Sequence, residues 1–258
     1  MRFQTVGAAG KPVIIMLPGS FCPSASLAYL YEKLQAEYCI LLPEYNGHYA
    51  GSTFTTRQGE AAEVAAYLQA HELRHVCLLY GQSMGAEVGI ELYRQLLDAG
   101  VAVDHCLFDG APCITLPGWY KRFMYRIFKR MLDKVRGKSV DDVLEMPLFK
   151  KASHGDPESL RPTVEALAAT SPILTAESIR NETECCYTFD FPAFDEAAQQ
   201  KMHFFYAKEE KACRTCYKGV KKAYPHAAYT VVTGYGHLTY SMKNTDKYVS
   251  MMRGICEE

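Results

Sequence analysis

The sequence predicts an α/β fold: a mostly parallel central sheet with helices on both faces and a helical stretch inserted late in the strand order. Three observations predict it. Short, continuous apolar runs such as Val13–Leu17 and Val76–Leu79 suit strands buried on both faces. Between them lie segments whose apolar residues recur at helical spacing, the pattern of βαβ units with right-handed crossovers. The alternation breaks between residues 111 and 200, where helix-like segments and Pro-containing turns replace strands, and it resumes at Met202.

Taken in order, Val13–Leu17 is a β-branched run that Pro18-Gly19 ends, as expected of a central strand. A helix is expected from Ser24 or Ser26, with Leu27, Leu30, Tyr31 and Leu34 on one face. The next strand is Cys39–Leu42, closed by Pro43, and a turn-rich stretch follows to Ser52. A helix around Gln58–His71 turns Ala61, Val64, Ala65 and Leu68 inward, and His75–Leu79 is the next strand. The helix carrying Met84, Val88, Leu92 and Leu96 ends at Gly100, a natural residue just past a helix C-terminus. Val103–Phe108 restarts the sheet and stops at Asp109-Gly110. After the excursion come a strand at Met202–Tyr206, a helix at about Ala212–Tyr224, a strand at Ala228–Val232 and a C-terminal helix from about Thr239 to Arg253. The expected division is therefore a core over 1–110, a helical cap over 111–200 and the rest of the core over 201–258. A chain of 258 residues suits one such domain with an insertion.

Composition narrows the function classes. Basic and acidic residues nearly cancel, 28 against 29, so the overall balance points away from nucleic acid. No apolar run approaches the length of a membrane span, and Met1–Lys11 lacks the apolar stretch of a signal peptide. A cytoplasmic protein without stable membrane insertion is expected; composition is silent on oligomeric state. Several of the ten cysteines (Cys39, Cys77, Cys106) lie inside apolar runs, where reduced thiols are expected as small buried hydrophobes.

One stretch carries most of the chemistry. Gly81-Gln82-Ser83-Met84-Gly85 reads G-x-S-x-G between a strand and a helix. Such a turn lifts the serine hydroxyl clear of the sheet and is tight enough to require glycine two residues either side. It also aims the helix N-terminus at Ser83, so the Met84 N–H can favour an oxyanion. A serine hydroxyl at neutral pH needs a base within hydrogen-bond reach. Of eight histidines, His237 stands in a glycine-rich loop, Gly234-Tyr235-Gly236-His237, immediately after an apolar strand.

The order of these parts resembles the α/β-hydrolase superfamily over nearly the whole chain except the insertion. Leu17-Pro18-Gly19-Ser20-Phe21 stands where that family carries an H-G-x loop, with Pro in place of His. The resemblance implies a second oxyanion donor there, the backbone N–H of Ser20 or of Phe21. Pro43–Ser52 is similar to the family's P-G-H-G-x-S turn, which makes His48 structural. The acid would come from the loop after the strand that follows the cap, Tyr206–Lys211, where Glu210 takes the acid position; Glu209 and Asp109 are the alternatives. The resemblance thus implies a serine hydrolase that cleaves an ester or thioester of modest size through an acyl-enzyme, with Ser83, His237 and Glu210 as triad and no cofactor or metal. An acyltransferase using the same residues, or a non-catalytic binder on the same fold, are the rival readings.

Two further features stand apart from that chemistry. Cys213-Arg214-Thr215-Cys216 is a C-x-x-C, but it lies in a helical stretch, and Cys185-Cys186 has the wrong spacing to complete a zinc site. In Trp119–Lys138, Tyr120, Phe123, Met124, Ile127, Phe128, Met131 and Val135 share a helical face opposite Arg122, Arg126, Lys129, Arg130 and Lys134. This is expected to be a lid helix with its apolar face over the active site; the alternative is recognition of an anionic headgroup, on a phosphorylated carrier or a lipid surface.

Overall fold

The apolar runs form the middle of the sheet. The computed structural model describes residues 1–152 and 156–257. Seven strands lie in the order β1-β3-β2-β4-β5-β6-β7: Arg2–Val6, Val13–Leu17, Cys39–Glu44, His75–Gln82, Ala102–Asp109, Met202–Ala207 and Ala228–Val232 are β1 to β7. β1 runs antiparallel to β3, and every other pairing is parallel. Side chains alternate across the pleat: Ile15 and Leu17 point to one face of β2, Ile14 and Met16 to the other, and both sets are fully buried.

The helices are Ala28–Leu34 (α1), Arg57–Ala70 (α2), Met84–Asp98 (α3), Gly118–Val135 (α4), Val140–Leu144 (α5), Pro147–Ala152 (α6), Arg161–Thr170 (α7), Ala176–Cys186 (α8), Glu196–Gln200 (α9), Lys211–Ala223 (α10), Thr239–Lys243 (α11) and Thr245–Glu257 (α12). Apolar residues of α2 such as Val64 and Leu68, together with α3 and Val220 of α10, cover one face of the sheet. Leu30 and Leu34 of α1 and Tyr248, Val249 and Met252 of α12 cover the other face. Between β5 and β6 no strand occurs among the described residues, and α4 to α9 fill that excursion, of which residues 153–155 lie outside the described residues. Leu132 and Val135 of α4, Val143 and Leu144 of α5, Val164 and Leu167 of α7 and Ile179 of α8 form a separate apolar cluster, and Phe21 from the loop after β2 is packed into it.

Four details differ from the sequence reading. β1 is an addition to it: its residues are mostly exposed, so the edge strand carries no apolar run. β3 does not stop at Pro43 but runs to Glu44, pairing Pro43 with Phe3 of β1. Its parallel ladder with β2 ends at Leu41, so Pro43 stands where one side of the strand is unpaired and a missing N–H is tolerated. The C-terminal helix is two helices, broken at Asn244, whose φ of −121° and ψ of 43° are not helical. In α4 the expected apolar face is divided: Phe128 and Met131 pack inward with Leu132 and Val135, whereas Phe123 and Ile127 join Trp119 in solvent, at 50, 37 and 64 % exposure. The apolar residues of α4 span more of its circumference than α7 and α8 cover. Among the described residues no helix is long and apolar enough to cross a membrane.

Candidate active site

β4 delivers Ser83 at the C-terminal edge of the sheet, and the turn into α3 is as tight as its glycines require. A Cβ on Gly81 would lie 2.4 Å from the Gly85 carbonyl oxygen, and one on Gly85 would lie 2.3 Å from that of Leu17. Ser83 itself adopts φ 56° and ψ −120°, a conformation costly for a residue with a side chain. Its N–H donates to the Asp109 carbonyl at 2.7 Å, so the end of β5 braces the turn. Met84 is the first residue of α3, where a backbone N–H has no partner inside the helix.

The loop after β7 brings His237 to Ser83. His237 Nε2 lies 3.0 Å from Ser83 Oγ, and Nδ1 lies 2.5 Å from Glu210 Oε2. Glu210, the residue before α10, is 3 % exposed, and its other oxygen accepts the Ala207 N–H at 2.8 Å. Although the His237 side chain is 43 % exposed, partial desolvation in the cleft works against a charged imidazole; the hydrogen bond and charge of Glu210, with the charge of Asp109, outweigh it and raise the His237 pKa above its ordinary value. Gly110, at φ 63°, lies under the ring: a Cβ there would sit 2.7 Å from His237 Cε1.

The other two acid candidates are engaged elsewhere. Glu209 accepts the Tyr235 N–H at 3.0 Å, and Asp109 accepts the Tyr248 hydroxyl at 2.9 Å. Burial and the neighbouring Glu210 charge push the Asp109 carboxyl up to about 7.

The loop after β2 lies beside Ser83, with Gly19 passing close to it: a Cβ on Gly19 would be 3.5 Å from Ser83 Cβ. Phe21 has φ 63°, and its N–H donates to Glu182 Oε2 at 2.7 Å. Its carbonyl accepts the Thr170 hydroxyl. His48 bridges the assembly, with Nε2 3.0 Å from Glu182 Oε1 and Nδ1 3.5 Å from Glu44 Oε1. Glu44 Oε2 in turn accepts the Ser24 N–H and hydroxyl at 2.9 and 2.7 Å. Burial opposes charge on His48, yet Glu182 and Glu44 raise it to about 10. His48 thus has the structural place that the turn motif implied. Sequence reasoning misses Glu182, which lies in α8, distant in sequence from both partners and within no motif.

Two cavity lobes, of 440 and 480 Å³, meet at Ser20, Ser83, Phe128, Lys211 and His237. The first is walled by Phe21, Met131, Phe149, Leu167 and Met242, the second by Ile114, Leu116, Tyr120, Tyr187 and Cys216. Cys22 borders the first lobe; burial and the Glu182 and Glu44 charges push its thiol up to about 12. The ten cysteines are free thiols, and among the described residues no group of three or more His, Cys, Asp or Glu side chains is arranged to hold a metal ion.

No protein-family model matches the chain, and no curated protein matches it. Solved structures do. An alpha/beta hydrolase family protein from Desulfitobacterium hafniense is 19 % identical, with a TM-score of 0.74 over 98 % of this chain and 99 % of that one. MenH from S. aureus is 14 % identical, with a TM-score of 0.73 over 99 % and 97 %. A thermophilic esterase from Thermogutta terrifontis is 15 % identical, with a TM-score of 0.69 over 98 % and 91 %.

Proposed function

Because the chain has the α/β-hydrolase fold, we propose that it is a serine hydrolase cleaving a carboxylic ester or thioester through an acyl-enzyme. The observation that carries this reading is the continuous hydrogen-bonded series Ser83, His237, Glu210. His237 Nε2 takes the Ser83 proton as Oγ attacks the acyl carbon, and Glu210 holds Nδ1–H and steadies the imidazolium. The oxyanion is held by the N–H groups of Met84 and Ser20. Ser20 is chosen over Phe21 because the Phe21 N–H is already given to Glu182. Collapse of the tetrahedral intermediate expels the alcohol or thiol, which leaves with the proton from His237. Water, deprotonated by the same imidazole, then releases the acid and restores Ser83.

The helices of residues 111–200 act in this reading as a cap, since α4 lends Phe128 and Met131 to the cleft. Two apolar lobes diverging from Ser83 fit a substrate with an apolar group on each side of the scissile bond. A fluorophosphonate probe tests the reading: covalent modification of Ser83, abolished in Ser83→Ala, is expected. An unmodified Ser83 at high probe concentration would leave a binder on a hydrolase fold. A panel of acyl esters and thioesters of graded length then locates the substrate.

A further inference from the structure

α4 has two faces, and only one is used by the cleft. Phe128 and Met131 line the cavity, while Trp119, Phe123 and Ile127 form an exposed stripe at i, i+4 and i+8. Helical spacing continues that stripe into Arg130 and Lys134, with Arg122 and Arg126 along its flank, all four exposed. The helix carries six cations and one carboxylate in a chain whose net charge is −1. That carboxylate, Asp133, is taken by Lys129 and Arg136. Arg122, Arg126, Arg130 and Lys134 have no ion-pair partner among the described residues.

We propose that this face of α4 docks the protein on an anionic lipid bilayer. Aromatic and aliphatic side chains flanked by unpaired cations suit the boundary between headgroups and acyl chains, where the apolar groups enter and the cations meet lipid phosphates. The charge is local, so an anionic surface orients the molecule as well as attracting it. Docking there places the opposite side of the same helix, and with it the two-lobed cleft, next to the bilayer. On the proposed hydrolase reading, the substrate is then an ester held in the membrane.

Trp119 is the only tryptophan of the chain, so its emission reports this face directly. Full-length protein is titrated with vesicles of phosphatidylcholine alone or mixed with phosphatidylglycerol, in low salt and in about 0.5 M salt. A shift to shorter wavelength with the anionic vesicles, reversed by salt and absent with phosphatidylcholine, is the expected result. Arg126→Glu/Arg130→Glu and Phe123→Ser, which keep Trp119, should each weaken vesicle binding by about tenfold or more while leaving hydrolysis of a short soluble ester unchanged. No shift with anionic vesicles overturns the proposal, as does an equal shift with both kinds. Emission already shifted in lipid-free protein of doubled mass would also overturn it and assign the face to a second copy of the chain. Because the readout needs no turnover, docking can hold while Ser83 proves inert, and the reverse.

Discussion

The Phe21 N–H donates to Glu182 Oε2 at 2.7 Å, which ties the loop after β2 to a helix of the insertion. In the proposed mechanism that loop supplies the Ser20 donor, so Glu182 positions the oxyanion hole without touching substrate. Glu182→Ala should lower kcat by about 10- to 100-fold with little change in KM, because a misplaced donor is felt mainly in the transition state. Glu182→Gln, which keeps an acceptor for Phe21, should recover much of the loss. A Glu182→Ala variant with lowered Tm but unchanged kcat would reduce the residue to a structural role.

Ser83→Ala should remove turnover by at least about a thousandfold while leaving the fold intact, as judged by circular dichroism and Tm. Retention of a tenth of the activity in a purified sample would contradict the nucleophile assignment.

The pH profile tests Glu210. In the proposed mechanism His237 must be neutral to accept the Ser83 proton, and its pKa is raised above 6.5, so kcat/KM should fall with acid through a limb above that pH. Glu210→Gln removes the nearest negative charge, which lowers the His237 pKa; the limb should move to lower pH as the plateau drops steeply. Glu209→Gln and Asp109→Asn should change the rate only modestly, and a steep loss in either would move the acid there.

Stability should carry the signature of His48. Its folded pKa of about 10 is above the unfolded value, so its contribution is full below pH 6.5 and is lost as pH rises toward 10. Over that window the wild type should lose stability that His48→Gln does not lose. Parallel slopes of stability against pH in the two proteins would show that His48 is not held as a cation.

Strands buried on both faces are legible in the sequence because every position of β2 and the middle of β4 is apolar. β1 is not, since an exposed edge strand needs no apolar run. Ser83 and His237 are legible from local context, a tight turn and a glycine-rich loop. Glu210 needs the resemblance, because nothing local separates it from Glu209; in space one faces His237 and the other the Tyr235 N–H. Glu182 is invisible for a different reason: its partners Phe21 and His48 are 161 and 134 residues away, and a helix carries no mark of which glutamate will be buried. In α4 the periodicity identifies an amphipathic helix, but only its neighbours decide that Phe128 turns inward and Phe123 outward.

Phe21, packed into the cluster of the insertion, also sets an order of events during synthesis. Ser83 leaves the ribosome long before the helices that seat Phe21, and Glu210 and His237 follow later still. On the proposed mechanism, the nascent chain then carries its serine hydroxyl before the base and the oxyanion loop are in place. In that mechanism, reactivity arrives only when the segment carrying Glu210 and His237 has emerged and docked.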